Sequence, residues 1–378
     1  MNKSKVLICF GTRPEAIKMA PLVVALNQCD WVDLKVCVTG QHRKMLDQVL
    51  TFFDIEPDYD LDVMSNSQSL TSLSCAILQG MDSVLNDFKP DWVMVHGDTS
   101  TTLMVSLAAY YRQIPVAHVE AGLRTGNKYS PWPEEMNRRL TGGIADLHFS
   151  STDQAKENLI NEGVDPVSIH VTGNTVVDAL MQTVLRLSSD SDLEHQAAAF
   201  FPMLELDKKI ILVTGHRRES FGKGFENICE ALAELAKRDD VQIIYPVHLN
   251  PKVRDPVNRI LSDCENIFLI EPLEYLPFVW LMNKCYLILT DSGGIQEEAP
   301  SLKKPVFVMR NRTERMEAVS AGTARLIGTD KDTIISSVLS VLNSDIEYQK
   351  MTPIENPFGD GQASFRIVKY FRKYYHKV

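Results

Sequence analysis

Six short segments hold the side chains best suited to chemistry, and most of them follow a run of apolar residues. The first, Gly11-Thr12-Arg13-Pro14-Glu15-Ala16-Ile17-Lys18, follows the apolar residues 6–10. Gly11 permits a tight turn, and Pro14 suits the first turn of a helix. Arg13 and Lys18 bring two cations to a helix start, where free backbone N–H groups already attract anions. The segment reads as a phosphate or diphosphate contact; the alternative is a turn with solvated charges. It is neither G-x-G-x-x-G nor a P-loop, so neither a nicotinamide site nor ATP hydrolysis is signalled.

The most specific segment is Asp291-Ser292-Gly293-Gly294-Ile295-Gln296-Glu297-Glu298. Ser-Gly-Gly between a strand and a helix lets backbone amides close on an anion. Glu298, one turn in, is placed to accept both hydroxyls of a ribose, and Arg310, Arg312 and Arg315 follow the next strand. Thr214-Gly215-His216-Arg217 occupies the corresponding place earlier in the chain, where His216 is either a phosphate donor or a satisfied loop histidine.

Three carboxylates complete the set. Asp98 lies in His96-Gly97-Asp98-Thr99-Ser100, which by itself reads as helix capping. Glu120 ends a buried strand in His118-Val119-Glu120-Ala121-Gly122, a costly place for a charge without a task or a partner. Glu134 opens a helix after Pro131-Trp132-Pro133, where the helix dipole favours an acid without any function. Three loops each offering a carboxylate on one rim are harder to dismiss, because such a group holds acid and base with separated pKa values.

These loops need a scaffold. Strands are predicted over 6–10, 34–38, 92–95, 116–119, 147–149 and 169–171, with amphipathic helices between them. The pattern restarts with strands over 210–213, 242–245, 267–270, 287–290 and 306–308. Apolar strands alternating with helices predict parallel sheets covered on both faces. The expected architecture is α/β, with two Rossmann-like doubly wound domains facing across a cleft. The expected division is residues 1–172, 173–358, and a last helix in 359–378 crossing back to the first domain. A linker or surface excursion is expected over 188–207, which includes Ser-Ser-Asp-Ser-Asp. In such folds ligands sit beyond the carboxyl ends of the strands, which is where most of these segments fall.

Composition narrows the partners. The chain has 378 residues and a formal charge of −10, so nucleic acid and anionic membranes are poor partners. No apolar run is long enough to cross a bilayer, and residues 6–10 are too short for the core of a signal peptide, so a cytoplasmic protein is expected. Seven cysteines with no C-x-x-C pair read as reduced thiols, and no metal-ligand spacing is present.

The segments GTRPEAIKMAPL, VHGDTSTT, HVEAGLRT, PWPEEMNR, VTGHRRESFG and LTDSGGIQEEAP, in this order, closely resemble the non-hydrolysing bacterial UDP-N-acetylglucosamine 2-epimerases. The resemblance spans nearly the whole chain. It implies a glycosyltransferase-B-like fold, a homodimer without a cofactor, and interconversion of UDP-N-acetylglucosamine with UDP-N-acetylmannosamine for surface polysaccharide synthesis. It puts uridine diphosphate against Arg13, His216, Ser292, Gly293, Gly294, Glu298 and Arg315, with the uracil near Phe278 and the backbone of Leu273. It puts Lys18, Asp98, Glu120 and Glu134 around the sugar, and matches Gln41 and His248 to a second, regulatory substrate site. Ser67 stands where some members carry Arg.

The substrate's chemistry narrows the route. C2 of the sugar bears the acetamido group and adjoins no carbonyl, so its hydrogen is not acidic enough for simple enolisation. Elimination of UDP from C1 with loss of that hydrogen, then re-addition, needs carboxylates near the ring and cations on the diphosphate. The motifs supply both, and trapping the intermediate predicts closure around UDP. Competing readings are a glycosyltransferase, a hydrolysing epimerase and a sugar-nucleotide sensor.

Overall fold

The computed structural model describes residues 3–40, 43–64, 68–352 and 355–374. The chain forms two compact units, Met1–Ala179 together with Phe358–Val378, and Leu180–Pro357.

The first unit is built on seven strands: β1 Ser4–Phe10, β2 Val32–Val38, β3 Tyr59–Asp60, β4 Trp92–His96, β5 Val116–Ala121, β6 Leu147–Ser150 and β7 Ile169–Val171. They lie in the order β3-β2-β1-β4-β5-β6-β7, every pair parallel. Val6, Leu7, Ile8 and Phe10 of β1 are all fully buried, as expected of a strand with helices on both faces. The order reverses between β1 and β4, the crevice where doubly wound sheets place ligands.

The second unit repeats the plan with β8 Lys209–Thr214, β9 Val241–Pro246, β10 Ile267–Ile270, β11 Leu287–Thr290, β12 Val306–Val308 and β13 Ala324–Leu326. Its order is β10-β9-β8-β11-β12-β13, again all parallel, with the reversal between β8 and β11. Two strands lacked a sequence signal: β3 has two residues and β13 three, too short for any periodicity.

The serine- and aspartate-rich stretch expected to be an excursion contains a helix, Ser191–Ala198. Asp190 caps it by accepting the N–H groups of Asp192 and Leu193, and the Trp280 indole donates to Glu194 at 3.1 Å. The Ser/Asp composition reflects that cap rather than disorder. In the first unit, Asp178 accepts the N–H groups of Ala363 and Ser364 at the start of helix Ala363–Phe371. The Phe371 ring meets Trp92 edge-on at 5.4 Å.

Three buried histidines make the first unit acid-sensitive. His96, His118 and His148 lie in β4, β5 and β6, and burial pushes their pKa values down to about 4, 3 and 4. In the unfolded chain each titrates near ~6.5. Between those limits the unfolded state binds more protons, so stability falls as pH drops below 6.5, by up to about 1.4 kcal/mol per histidine per pH unit. Thermal unfolding followed by circular dichroism is expected to show the midpoint falling steeply between pH 6.5 and 4.5, with a shallower slope in His148→Asn. An unchanged slope in that variant would contradict this account.

Candidate active site

In the first unit the site grows from two helix starts. Thr12 caps helix Arg13–Asn27 and Thr99 caps helix Ser100–Tyr111. Glu15, buried, joins them: its carboxylate accepts the N–H of Thr12 at 2.8 Å, that of Gly11 at 3.2 Å and the Thr99 hydroxyl at 2.8 Å. Burial raises the Glu15 pKa against the pull of these hydrogen bonds. Sequence reading passed over this residue, although T-x-x-E before an apolar run is a capping-box signature. Gly11 is needed because a Cβ there would fall 2.1 Å from Thr39 Oγ1 and 2.5 Å from Thr101 Oγ1. Arg13, half-buried, opens the first helix.

Lys18 lies farther along that helix, and its Nζ is paired with the Glu120 carboxylate. Glu120 belongs to β5 but has φ of 61°, in the left-handed region, and the β5–β6 register slips between Val119 and Ala121. A β-bulge with a strained non-glycine residue re-aims its side chain, and such features cluster at functional sites. Asn174 Nδ2 donates to Glu120 Oε2 at 2.8 Å, and His96 Nε2 stands 3.7 Å from the same oxygen.

Asp98 is held from two directions. Its backbone carbonyl accepts Asn137 Nδ2 at 2.9 Å, and its carboxylate pairs with Arg138 at 2.6 Å. His118 Nε2 lies 2.7 Å from the carbonyl of the preceding Gly97. The Asp98 pKa is raised, mainly by burial and further by the negative charges of Glu120 and Glu134, against the pull of Arg138 and Lys18. Asp98 therefore feels both other carboxylates. Glu134 is half-buried at the start of helix Glu134–Ile144, whereas Glu135 is fully buried and accepts the N–H groups of Thr125 and Gly126. Of this acidic pair, Glu135 is the one that holds the loop. Asn137, Arg138 and Asn174 had no sequence signal, since each acts on a partner distant in the chain.

The second unit shows the same device at its own reversal point. Asp291, buried after β11, accepts the N–H groups of His216 and Arg217, each at 2.7 Å, and so ties the loop after β8. The His216 ring stacks on His248 at 5.2 Å. Gln41 lies outside the described residues, as does Ser67. Ser292 precedes helix Gly293–Glu298, and a Cβ on Gly293 would lie 3.1 Å from Glu314 Oε1 and 3.3 Å from Arg315 Cζ. The glycine thus admits the guanidinium to the helix start. Arg315 Nε donates to buried Glu297 at 2.8 Å. Glu298 Oε2 lies 3.7 Å from where a Cβ of Gly294 would stand. Leu273 and Phe278, both half-buried, lie before and within helix Tyr275–Lys284. Arg310 turns to Glu219 at 2.6 Å and Glu314 at 3.0 Å, and lines a cavity of about 470 Å³ with Asn227, Thr329 and Asp330.

Among the described residues, no group of three or more His, Cys, Asp and Glu side chains is arranged to hold a metal ion, and no helix is long and apolar enough to cross a membrane.

Two doubly wound parallel sheets, one carrying clustered carboxylates with a lysine and the other a glycine-rich helix start with arginine, define an enzyme of the glycosyltransferase-B-like fold class. The family model described as UDP-N-acetylglucosamine 2-epimerase matches residues 24–372. The chain belongs to that family and is an isomerase. It is 61% identical over 366 residues to the UDP-N-acetylglucosamine 2-epimerase of Escherichia coli, with 97% of each chain covered. It is 60% identical to the Salmonella typhimurium enzyme, covering 98% of this chain and 99% of that one. The crystal structure of the Neisseria meningitidis UDP-GlcNAc 2-epimerase bound to UDP-GlcNAc is similar at 52% identity and a TM-score of 0.91, covering 98% of this chain and 100% of that one.

Proposed function

We propose that the chain interconverts UDP-N-acetylglucosamine and UDP-N-acetylmannosamine through a glycal. A carboxylate takes the C2 hydrogen as a proton, its bonding pair becomes the C1–C2 double bond, and the C1–oxygen bond breaks with its electrons on UDP. In return, a UDP oxygen re-forms the bond to C1 while a proton is delivered to C2 on the opposite face. The second unit holds UDP through the Ser292–Gly294 amides, Arg315 and His216, with Glu298 on the ribose. The first unit handles protons through Asp98, Glu120 and Glu134.

The observation that carries this reading is the pairing of Lys18 with Glu120 beside an Asp98 whose pKa burial and the charges of Glu120 and Glu134 raise. Burial and like charge push Asp98 toward its acid form, while the cation on Glu120 favours the carboxylate, so one cluster offers both an acid and a base. We further propose a homodimer whose product supplies surface polysaccharide synthesis.

Incubation with UDP-N-acetylglucosamine in deuterium oxide tests the route. Deuterium at C2 of both epimers is the expected result. Epimerisation that retains the original C2 hydrogen overturns elimination, and release of free UDP with N-acetylmannosamine indicates hydrolysis instead.

A further inference from the structure

His96 ends β4 with its side chain 4% exposed, and neither ring nitrogen has a hydrogen-bond partner among the described residues. A buried polar group left in that state is costly, so its retention calls for a reason. The titratable groups facing it are Glu120 and His118 from β5 and Lys18 from helix Arg13–Asn27. Its Nε2 stands 3.7 Å from Glu120 Oε2. A shift of less than about 1 Å turns that separation into a hydrogen bond, and catalytic hydrogen bonds commonly tighten only when substrate binds.

We infer that His96 is a positioning residue for Glu120: a neutral imidazole behind the carboxylate whose Nε2–H is directed at Oε2, holding that oxygen while the group exchanges a proton with the sugar. This rests on Glu120 acting on the sugar, as proposed above. The ring suits the part because burial keeps it neutral, with a pKa near 4 despite the adjacent carboxylate. A neutral donor orients the carboxylate without cancelling the charge that makes it a base, which a second cation beside Lys18 would do. Asn174 donates to the same oxygen at 2.8 Å, so a polar wall forms along one side of Glu120.

The test compares His96→Leu with His96→Gln, whose amide nitrogen falls near the place of Nε2. Loss of the donor weakens the ionised form of Glu120, so in the leucine variant the acidic fall in kcat moves to higher pH. At neutral pH kcat drops about tenfold with KM unchanged, the effect of one charge-assisted hydrogen bond. Glutamine restores the limb toward its wild-type position. An acidic limb that stays in place in His96→Leu overturns the inference. A second measurement needs no variant: the ring 15N spectrum of histidine-labelled wild-type protein is expected to show His96 neutral with its proton on Nε2 from pH 5.5 to 8. A proton on Nδ1 overturns the inference equally. Glu120→Gln with full turnover would instead sink the underlying assignment of Glu120 and leave the tautomer result standing.

Discussion

Glu120→Gln is expected to lower kcat about a thousandfold while leaving the fold intact, the range for losing a positioned acid–base group. Glutamine reproduces the shape and keeps one oxygen to accept Asn174 and Lys18, but it cannot take up a proton. The strain at Glu120, with φ of 61°, is set by the bulge beside β6 and not by the side chain's charge, so the backbone persists in the variant. Lys18 loses its counter-charge at a side chain that is 13% exposed, which costs some thermal stability. Deuterium entry at C2 should fall in step with epimerisation, because both pass through the same proton transfer. A variant with near-wild-type kcat would show that Glu120 shapes the loop and leaves proton transfer to Asp98 and Glu134.

Gly122→Ala is expected to have the largest effect on stability, and for reasons unrelated to charge. Gly122 has φ of +92°, and a Cβ there would stand 2.1 Å from the carbonyl oxygen of Ala155 and 2.7 Å from its carbon. The obstacle is backbone on a neighbouring helix, Asp153–Asn161, which cannot rotate away. Asn158 Nδ2 also donates to the Gly122 carbonyl at 3.0 Å, so any retreat of the loop breaks that bond. Strain of about 1–2 kcal/mol from the left-handed backbone and a further 1–3 kcal/mol from overpacking add to roughly 3 kcal/mol. For a unit of this size that lowers the melting temperature by roughly 6–12 °C. Gly126→Ala is the control: its φ is +77°, yet a Cβ there would meet nothing within 4 Å among the described residues, so only the strain remains. Equal melting temperatures for the two variants would refute the packing argument. Because Glu120 lies two residues before Gly122, kcat should fall in Gly122→Ala and hold in Gly126→Ala.

Much of the architecture was legible before any coordinates. The apolar runs that became β1, β4, β5, β8 and β11 are near-continuous because both faces of a parallel strand are covered, and that pattern is local. The polar residues after them were recognisable for the same reason: a strand end facing a helix start is where an anion or a carboxylate has use. The Ser191–Ala198 helix within the expected excursion was not foreseen because Ser and Asp serve equally as linker residues and as caps. The role of Glu135 was equally beyond local pattern, since it shares one helical turn with Glu134 and only its bonds to the Thr125–Gly126 loop reveal it.

The chain's own order of residues thus decided the elements, the positions of the loops and the kinds of side chain at their tips. Tertiary structure alone decided the pairings: Lys18 with Glu120 across 102 residues, Asn174 with Glu120 across 54, and Asp98 with Arg138. Periodicity reaches only a few residues along a helix or strand, whereas these contacts depend on β1, β4 and β5 lying side by side and on a bulge that turns one carboxylate toward them. The bulge, the left-handed Glu120 and the buried His96 beside it arise from how neighbouring strands fit, a property no single stretch of sequence carries.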